Sequence, residues 1–444
     1  MRVGFVKTVV VGLGKIGLPL AVQFATNGQS VIGVDIDTAV VDAVNAAQVL
    51  FPGEEGLAEK LATVVTNGSL SATADYGQAV PGADVVVVVV PLVVDEDKNP
   101  DYDILDRATA SIGEHISTGT LVAYETTLPV GTTRTRWKPA LEAASGLTEG
   151  TDFHTVFSPE RVSTGRTFAD LRRYPKLLGA LDAVGAQRAQ EFYESVLTFD
   201  DRPDLGRPNG VWDLGSAEAA ELAKLMETTY RDVNIGLANQ FAMFAGGHGI
   251  DVHEVIAACN SQPFSHIHSP GVGVGGHCIP VYPHLYLVGD PGADIVSAAR
   301  RVNVSMPRHA VSLLAKDLGD LAGRRVVVLG AAYRAGVKET AFSGVFPLVD
   351  ELAGRGASPL VHDPLYSDDE LVGLGFTPWN PGDPAEGAIL HTSHPQYATL
   401  TERDVPGLLA VVDGRHTMTP RQFSNVALRT IGVGSPVKAR PVGR

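Results

Sequence analysis

Short apolar runs alternate with helical stretches through about the first two hundred residues, and this alternation limits the possible folds more than any other feature. The runs are KTVVVGLG, SVIGVDID, ADVVVVVVP, TLVAYETT and FHTVFSP. Brief valine-rich runs separated by helical patterns are typical of βαβ units, in which helices cover both faces of a buried parallel sheet. The sequence therefore predicts an α/β fold with a mostly parallel sheet.

The middle of the chain has a different texture. Residues 213–249 show no strand pattern and carry apolar residues at helical spacing, which predicts a long helix, and a second helix is expected over residues 293–318. Alternation then returns in the apolar runs RRVVVLGAAY, SPLVHDP, GAILHTSH and GLLAVVDG, with a helical FPLVDELAGRG after the first of them. These segments repeat the strand–glycine–helix–strand–aspartate order of the first half. We expect two α/β domains, residues 1–205 and 319–444, joined by a helical region over 206–318. The tail after about Val433 is expected to be mobile.

Composition narrows the class of partner. With 44% hydrophobic and 19% charged residues the chain is typical of a soluble globular protein, and its net charge of −15 argues against nucleic acid or an anionic membrane as a partner. Two cysteines cannot make a disulfide framework, so we expect a reducing, cytoplasmic location. The apolar run over residues 85–94 is too short to cross a bilayer.

A glycine pattern follows the first predicted strand. Gly12, Gly14 and Gly17 form G-x-G-x-x-G between TVVV and the helical LPLAVQFA, where a helix N-terminus favours phosphate. Asp35 ends the second strand, at the position where a carboxylate binds ribose hydroxyls and repels a 2′-phosphate, which favours NAD over NADP. We expect the cofactor to contact this turn and the acidic residue after the second strand: Gly12, Gly14, Lys15, Ile16, Gly17 and Asp35.

Polar residues follow later strands of the same domain. The turn YETTLPVGTT places Thr126 and Thr127 at the carboxyl edge of the sheet, where ligands sit in open α/β folds. Their hydroxyls either bond substrate or water or stabilise the turn itself. In SPER, Glu160 is a candidate general base or hydrogen-bond acceptor, and Arg161 is a candidate salt-bridge partner for it.

The predicted long helix carries polar residues on one face. Lys224, Thr228 and Arg231 are spaced by four and three residues, which brings them to the same side of a helix. Because Lys224 lies among apolar neighbours, burial opposite an anion or a developing oxyanion is one interpretation, and a solvated surface lysine is the other. Asn234 and Asn239 continue the helix as candidate polar contacts.

The run GVGVGGHCIPVYP contains Cys278, the sharpest candidate for a reactive residue. Its glycines, Gly273 and Gly275 among them, allow the chain to fold tightly around a ligand and turn its amides toward it. Cys259 lies in the apolar VIAACN and is expected to pack in the interior. The histidines have no acidic or thiol partner at ligand spacing, so no metal site is expected.

Taken in order, these segments resemble the nucleotide-sugar 6-dehydrogenase family, which includes UDP-glucose and UDP-N-acetylhexosamine dehydrogenases. The matching segments are VVGLGKIGLPLA, ETTLPVGTT, SPER, ELAKLMETTYRDVNIGLAN, GVGVGGHCIP, ARRVNVSMP and LGAAYRAG. They span nearly the whole chain, and SPER with GGHCIP is closer to the N-acetylhexosamine branch. The resemblance implies two Rossmann-like doubly wound domains joined by a long central helix that mediates homodimerisation, with the nucleotide sugar bound by the C-terminal domain.

The resemblance also implies an activity, the NAD-dependent oxidation of a C6 alcohol to a carboxylate through an aldehyde. Cys278 would be the nucleophile that forms a thiohemiacetal and then a thioester, and Lys224 would stabilise the oxyanion. Glu160 and Thr127 would position water or assist proton transfer, with Thr127 also near the cofactor. The residues matched to substrate binding are Arg161, Arg231, Asn234, Gly273, Gly275 and Arg334.

Three positions depart from the family pattern. Tyr282 stands where the family has an aspartate paired with the lysine, and a tyrosine is neutral near pH 7. Thr228 replaces an asparagine that acts as an oxyanion donor. Ala341 stands where an arginine would reach the substrate nucleotide of a partner subunit, whereas Arg334 keeps a cation.

Three functions remain open at this point. The first is a nucleotide-sugar 6-dehydrogenase with altered substrate preference. The second is an enzyme of the same fold that stops at the aldehyde or uses reversible oxidation, for example for epimerisation; Tyr282 and Thr228 motivate it. The third is a non-catalytic nucleotide-sugar-binding or assembly protein, against which the presence of Cys278 and Lys224 argues.

Overall fold

A computed structural model of the chain describes residues 7–51, 53–95 and 97–434. It divides into two compact units. The first comprises the chain up to Glu227 together with His284–Gly289, and the second comprises Thr228–Pro283 and the chain from Asp290 onward. The tail that we expected to be mobile lies outside the described residues beyond position 434. The three-domain division at 205 and 318 stays a prediction.

The first unit is built on an eight-stranded sheet of order β10-β9-β8-β7-β4-β1-β2-β3. Its strands are β1 (Lys7–Val11), β2 (Ser30–Val34), β3 (Leu70–Thr73), β4 (Val85–Val88), β7 (Leu121–Tyr124), β8 (His154–Phe157), β9 (Lys176–Ala180) and β10 (Val211–Asp213). All neighbouring pairs are parallel except β8 with β9. A small antiparallel pair consists of β5 (Val93–Val94) and β6 (Pro100–Asp101).

Helices cover both faces of this sheet. They are α1 (Gly17–Thr26), α2 (Thr38–Asn45), α3 (Leu57–Thr66), α4 (Tyr76–Ala79), α5 (Asp103–Gly113), α6 (Lys138–Ser145), α7 (Thr167–Arg173) and α8 (Ala183–Val196). One buried cluster packs α1 and α8 on one face, and another packs α5 and α6 on the other face. Strand β4 is VVVV with all four residues buried, as a strand covered on both faces requires.

The second unit contains a five-stranded parallel sheet of order β12-β11-β13-β14-β15. Its strands are β11 (Arg325–Leu329), β12 (Ser358–His362), β13 (Gly387–Leu390), β14 (Ala410–Asp413) and β15 (Ala427–Thr430). Further α-helices of the described residues are α9 (Ala217–Gly247), α10 (Val252–Cys259), α11 (Tyr282–Gly289), α12 (Asp294–Leu318), α13 (Val345–Gly354) and α14 (Asp368–Gly373). Buried residues of α12 and α13 pack on the sheet.

The predicted architecture is confirmed in its main elements. Every apolar run predicted to be a strand contains one, FPLVDELAGRG forms helix α13, and the two long helices appear as α9 and α12. The sheet is mostly parallel, as expected, and β9 is the strand that runs antiparallel to its neighbour β8. One expectation was wrong: Cys259 does not pack in the interior but is exposed at the C-terminal end of α10.

Among the described residues, no helix is long and apolar enough to cross a membrane. Within the same part of the chain, no three His, Cys, Asp or Glu side chains are grouped as metal ligands would be.

Candidate functional site

The turn between β1 and α1 has the geometry of a phosphate-binding loop. Gly12 has φ +92° and donates its amide to Val34 O at 2.8 Å. A Cβ on Gly17 would lie 1.8 Å from Gly12 O, whereas a Cβ on Gly14 would meet nothing within 4 Å. The first and third glycines therefore close the turn, and the second leaves an open backbone surface. Helix α1 begins here without a side-chain cap at Ile16, so its amide-rich end is left for an anion.

Asp35 lies beside this turn, where the second strand ends. Its Oδ2 accepts from the Leu13 amide at 2.8 Å, and its Oδ1 accepts from the Asp37 amide at 3.0 Å. The carboxylate is half-buried, so it is fixed in direction yet keeps lone pairs for ligand hydroxyls. Together with exposed Lys15, these residues fit an NAD molecule with its pyrophosphate on α1 and its ribose on Asp35.

Hydrogen bonds of two side chains, Thr126 and Glu221, hold the turn after β7. Thr126 Oγ1 donates to Val90 O at 2.5 Å, which joins the carboxyl ends of β7 and β4, and Thr127 is buried next to it. Glu221 on α9 accepts from the Gly131 amide, from the Thr133 amide and from the Thr133 hydroxyl. Thr126 thus has a structural role, which was one of its two interpretations.

The pKa of Glu221 differs from that of an ordinary glutamate. Burial outweighs its hydrogen bonds with Thr133 and Gly131 and raises the pKa of Glu221 to about 7. Its protonation therefore changes near neutral pH, in a group that anchors the Thr127 turn to α9.

Glu160 lies at the carboxyl end of β8 and belongs to a largely buried group of charged and polar side chains. Its Oε2 is 3.0 Å from Lys176 Nζ, and its Oε1 accepts from the Arg161 amide at 2.7 Å. Lys176 Nζ also lies 2.9 Å from Glu125 Oε2. Glu125 Oε1 in turn accepts from the Tyr193 hydroxyl at 2.6 Å. We call Glu125, Glu160, Lys176 and Tyr193 the buried acid–lysine cluster.

Lys224 is buried, as one of its two interpretations required. It is 8% exposed, and its Nζ donates to Glu160 O at 2.6 Å. The ammonium of Lys224 therefore lies against the backbone of the residue whose carboxylate belongs to the buried acid–lysine cluster. This proximity brings a cation and a carboxylate together at the edge of the sheet, which suits general-base chemistry beside an oxyanion.

Arg161 does not pair with Glu160, contrary to the salt bridge considered from the sequence. Its guanidinium instead contacts Glu227 at 3.0 Å and donates to Pro175 O at 3.1 Å. Lys176 occupies the position beside Glu160 because β9 runs antiparallel and begins at the edge where β8 ends. Binding of substrate by Arg161 stays a prediction.

In the second unit, the glycine loop over residues 271–276 packs closely on the segment after β11. A Cβ on Gly275 would lie 2.5 Å from Tyr333 Cβ, and one on Gly276 would lie 3.1 Å from the Tyr333 ring. Gly276 also donates to Ala341 O at 2.8 Å. A Cβ on Gly273 would have only Gly344 Cα nearby, at 3.4 Å. Glycine is therefore required at 275 by packing.

Cys278 is exposed at the end of this loop. Its carbonyl accepts from the Tyr282 amide at 2.9 Å, so the thiol lies one turn before the start of α11. His277 is exposed beside it, with Nε2 3.8 Å from Glu339 Oε2. An accessible thiol on a tightly held loop is what a nucleophile requires.

The polar face of α9 beyond Lys224 has mixed surroundings. Thr228 is buried and Arg231 is exposed. Asn234 holds the segment before the glycine loop, because its amide group donates to His266 O at 2.6 Å and accepts from the His268 amide at 2.9 Å. Asn239 accepts from the Gly271 amide at 2.9 Å. Substrate contacts by Arg231 and Asn234 stay predictions.

Arg334 is exposed in the segment after β11. Ala341, in the same segment, has its amide bonded to Glu339 Oε1 at 3.1 Å and its carbonyl bonded to Gly276. The segment that carries both residues therefore also supports the glycine loop. Sequence reasoning missed this contact because nothing in the letters pairs position 276 with position 341.

Sequence reasoning also missed Glu125, Lys176, Tyr193 and Glu221. The signal for Glu125 was present in YETT, since a carboxylate directly after a buried strand needs a partner. Lys176 opens KLLGA and has the pattern of a solvated strand end. Only the antiparallel pairing of β9 turns it inward.

Comparisons with known proteins agree with this geometry. Residues 6–197 match the sequence profile described as UDP-glucose/GDP-mannose dehydrogenase family, NAD binding domain, and residues 218–304 match the central domain of that family. The UDP-N-acetyl-D-mannosamine dehydrogenase of Pyrococcus horikoshii is 33% identical over 418 residues, covering 92% of this chain and 94% of that protein.

Solved structures give the same result. The structure of UDP-D-ManNAc dehydrogenase from Pyrococcus horikoshii has a TM-score of 0.85 at 31% identity and covers 97% of this chain and 100% of its own. That of a UDP-glucose dehydrogenase from Pyrobaculum islandicum has a TM-score of 0.84 at 27% identity, covering 97% of this chain and 98% of its own.

Proposed function

The chain belongs to the UDP-glucose/GDP-mannose dehydrogenase family, and from that premise we propose that it oxidises the C6 alcohol of a UDP-N-acetylhexosamine to the uronic acid. It is an NAD-dependent nucleotide-sugar dehydrogenase. The observation that carries the choice of sugar is the match to UDP-N-acetyl-D-mannosamine dehydrogenases over more than nine-tenths of both chains.

The proposed chemistry has two oxidation steps around a covalent adduct on Cys278. When bound, NAD accepts a hydride from C6 in each oxidation. After the first, the Cys278 thiolate adds to the aldehyde carbon, so that a C–S bond forms and the carbonyl oxygen becomes an oxyanion. The second oxidation gives a thioester, and water then attacks C6 as the C–S bond breaks and the thiolate leaves. Overall, one alcohol, two NAD⁺ and one water give one acid, two NADH and two protons.

Groups of the first unit supply the charge and proton chemistry in this proposal. The Lys224 ammonium stabilises the oxyanion, and the Glu160 carboxylate accepts the proton from the attacking water. The support for these roles is that Lys224 Nζ lies 2.6 Å from Glu160 O, so both groups face the carboxyl edge of the sheet. Thr127, buried in the turn after β7, orients the water by its hydroxyl.

A second candidate function is oxidation that stops at the aldehyde or that is used reversibly. Tyr282 favours it, because it begins α11 with its amide on Cys278 O and brings no carboxylate to the residues around the thiol. The buried Thr228 is a second departure from the family pattern. Both substitutions bear on hydrolysis of the thioester more than on hydride transfer.

The ratio of NADH formed to sugar consumed separates the two candidates. We expect two NADH per sugar with UDP-N-acetylhexosamines and slower or no turnover with UDP-glucose, GDP-sugars and dTDP-sugars. A ratio of one or less would support the second candidate instead. Tyr282→Asp sharpens the test, since it should speed acid release if Tyr282 limits hydrolysis, and an unchanged rate counts against that role.

We also propose that the protein is a homodimer formed through α9. The support is an exposed apolar row at helical spacing: Tyr230, Leu237, Phe241 and Phe244 are 58%, 46%, 40% and 61% exposed. Sedimentation analysis should find a dimer, and Phe244→Glu should shift it toward monomer. A monomeric wild-type protein would contradict the proposal. The nucleotide-sugar substrate is the other partner that we expect.

A further inference from the structure

The buried acid–lysine cluster assembles from four elements that sequence order keeps apart. Glu125 follows β7, Glu160 follows β8, Lys176 begins β9 and Tyr193 lies on α8. The exposed fractions of Glu125, Lys176 and Tyr193 are 2%, 4% and 0%, whereas Glu160 keeps 10% of its side chain exposed. Glu160 thus faces the opening at the edge of the sheet, and the other three groups lie behind it.

The charge of this cluster does not balance when every group is ionised. Two carboxylates face one ammonium, which leaves a net negative charge in a site almost without water, and such a site favours uptake of one proton. Glu125 Oε2 accepts no well-aligned hydrogen bond from the described residues, although Lys176 Nζ lies 2.9 Å away. Glu125 is also the more deeply buried of the two carboxyl groups, so its ionisation costs more than that of Glu160.

The electrostatic environment agrees with this placement. Burial outweighs the attraction of Lys176 and raises the pKa of Glu125 to about 7. Burial also acts against ionisation of Glu160, but the Lys176 ammonium and the Arg161 amide outweigh it and lower the pKa of Glu160. Burial raises the pKa of Tyr193 well above its ordinary value, so its hydroxyl remains a donor to Glu125.

Three cations lie in or next to the buried acid–lysine cluster: Lys176, Lys224 and Arg161. Lys176 has its pKa raised, because the two carboxylates outweigh the effect of its burial, and it stays a cation. On the α9 side, Lys224 contacts the carbonyl of Glu160. The Arg161 guanidinium forms an ion pair with Glu227, which lies outside the cluster.

We propose that Glu125 and Lys176 are positioning residues that keep Glu160 ionised as the base, with one proton held on Glu125 and with Lys176 as a cation between the two carboxyl groups. Lys176 orients the Glu160 carboxylate and offsets its charge, and Glu125 takes up the proton that would otherwise neutralise Glu160. This inference rests on the proposed function for the role of Glu160, whereas the location of the proton is independent of it.

The first experiment needs no turnover. Infrared difference spectra of the NAD-free protein are recorded as the pH is raised through about 7, the pKa of Glu125. We expect the carbonyl band of protonated buried carboxyls to disappear with rising pH in the wild type. Glu125→Gln should remove the part of this band that does not come from Glu221, whose pKa is also about 7. The matched control is Glu191→Gln, the same change at an exposed position of α8, which should keep the band. A band that persists unchanged in Glu125→Gln overturns the proposal.

The second experiment follows the pH profile of acid release. Lys176→Met should move the acid limb to higher pH by about one unit or more, and Lys176→Arg should restore it in large part. Glu125→Gln should leave the limb nearly in place, because glutamine is neutral, like the protonated Glu125 beside which Glu160 ionises. A purely structural role would lower the rate at every pH without moving the limb, so an unmoved limb in Lys176→Met overturns the proposal. If the wild type makes no acid, the proposed function fails, and the infrared result still decides where the proton lies.

Discussion

The two α/β units use the same turn after their first strand for different ends. In the first unit, Gly12 donates to Val34 O at 2.8 Å and Leu13 donates to Asp35 at 2.8 Å. In the second, Gly330 has φ +102° and donates to His362 O at 2.7 Å, and Ala331 donates to Asp363 at 2.8 Å. The glycine after the first strand and the aspartate after the second therefore make equivalent hydrogen bonds in both units, as the repeated sequence order predicted.

The difference lies in what surrounds the aspartate. Asp35 is half-buried and bonded only by amides of nearby residues among the described contacts. Asp363 is 1% exposed, because it also accepts from Ala332 and Leu365 and contacts His394 Nε2 at 3.1 Å. One carboxylate is open to a ligand and the other is closed by the protein.

The turn itself differs in length as well. In the first unit, α1 begins at Gly17, five residues after Gly12. In the second, α13 begins at Val345, and the long intervening segment supports the glycine loop through Tyr333. A local glycine–aspartate pattern therefore predicts a backbone turn, whereas ligand binding depends on which donors the rest of the unit brings to the carboxylate.

The largest expected effect is at the tightest glycine. Gly17→Ala would put a Cβ 1.8 Å from Gly12 O, so we expect a loss of stability of about 3 kcal/mol and NAD affinity lowered at least tenfold. Gly14→Ala has open space for its Cβ and should keep the thermal midpoint while weakening NAD binding. Equal stability of the two variants in thermal unfolding would break the account of the turn.

The two aspartates give the sharpest test of the comparison. Asp363→Asn should cost about 3 kcal/mol of unfolding free energy, because it removes a buried acceptor with several donors, and should leave NAD affinity unchanged in the folded protein. Asp35→Asn should change stability by less than about 1 kcal/mol and weaken NAD binding roughly tenfold. Calorimetric titration with NAD and urea unfolding of both variants measure this. Similar losses of NAD affinity would show that the two sites are not different in kind.

Glu221 in the first unit and Asp363 in the second should make stability depend on pH in opposite directions. Burial raises the pKa of Glu221 from 4.5 to about 7, so the stability from this group is present below about 4.5 and is lost as the pH rises to about 7. Burial acts to raise the pKa of Asp363, but the hydrogen bonds from His394 and the Ala332 amide outweigh it and lower that pKa. The stability that Asp363 contributes to the fold is therefore lost as the pH falls below the ordinary value of 3.8. Glu221→Gln should reduce the loss of stability between pH 5 and pH 8 by about 2 kcal/mol in urea unfolding. If the unfolding free energy of Glu221→Gln falls with pH as steeply as that of the wild type, Glu221 is not the cause of the pH dependence.

The smallest effects belong to exposed ion pairs, one in each unit. Arg134 pairs with Glu218 in the first and Lys338 pairs with Glu370 in the second. Arg134→Met and Lys338→Met should each change unfolding free energy by less than about 1 kcal/mol, because solvent screens both pairs. A larger loss of unfolding free energy in either variant, measured by thermal unfolding, would contradict the claim that solvent screens that ion pair.

The sequence predicted what depends on local pattern. The apolar runs located the strands predicted from them, glycine spacing located the tight turn before α1, and apolar neighbours made burial one of two interpretations for Lys224. It could not predict which side chains meet at a strand edge. Lys176 reaches Glu160 because β9 is antiparallel, and Asp363 is closed by His394 from the segment after β13. Both facts follow from strand order and direction, which single-residue patterns do not contain.

The central claim, acid formation through Cys278, is tested most directly by product analysis of two matched variants. Both cysteines are exposed, so Cys278→Ser and Cys259→Ser make the same chemical change at comparable solvent access. With NAD and a UDP-N-acetylhexosamine, we expect Cys259→Ser to form the uronic acid at the wild-type rate and Cys278→Ser to form it at least about a thousandfold more slowly. Undiminished acid formation by Cys278→Ser would contradict the account.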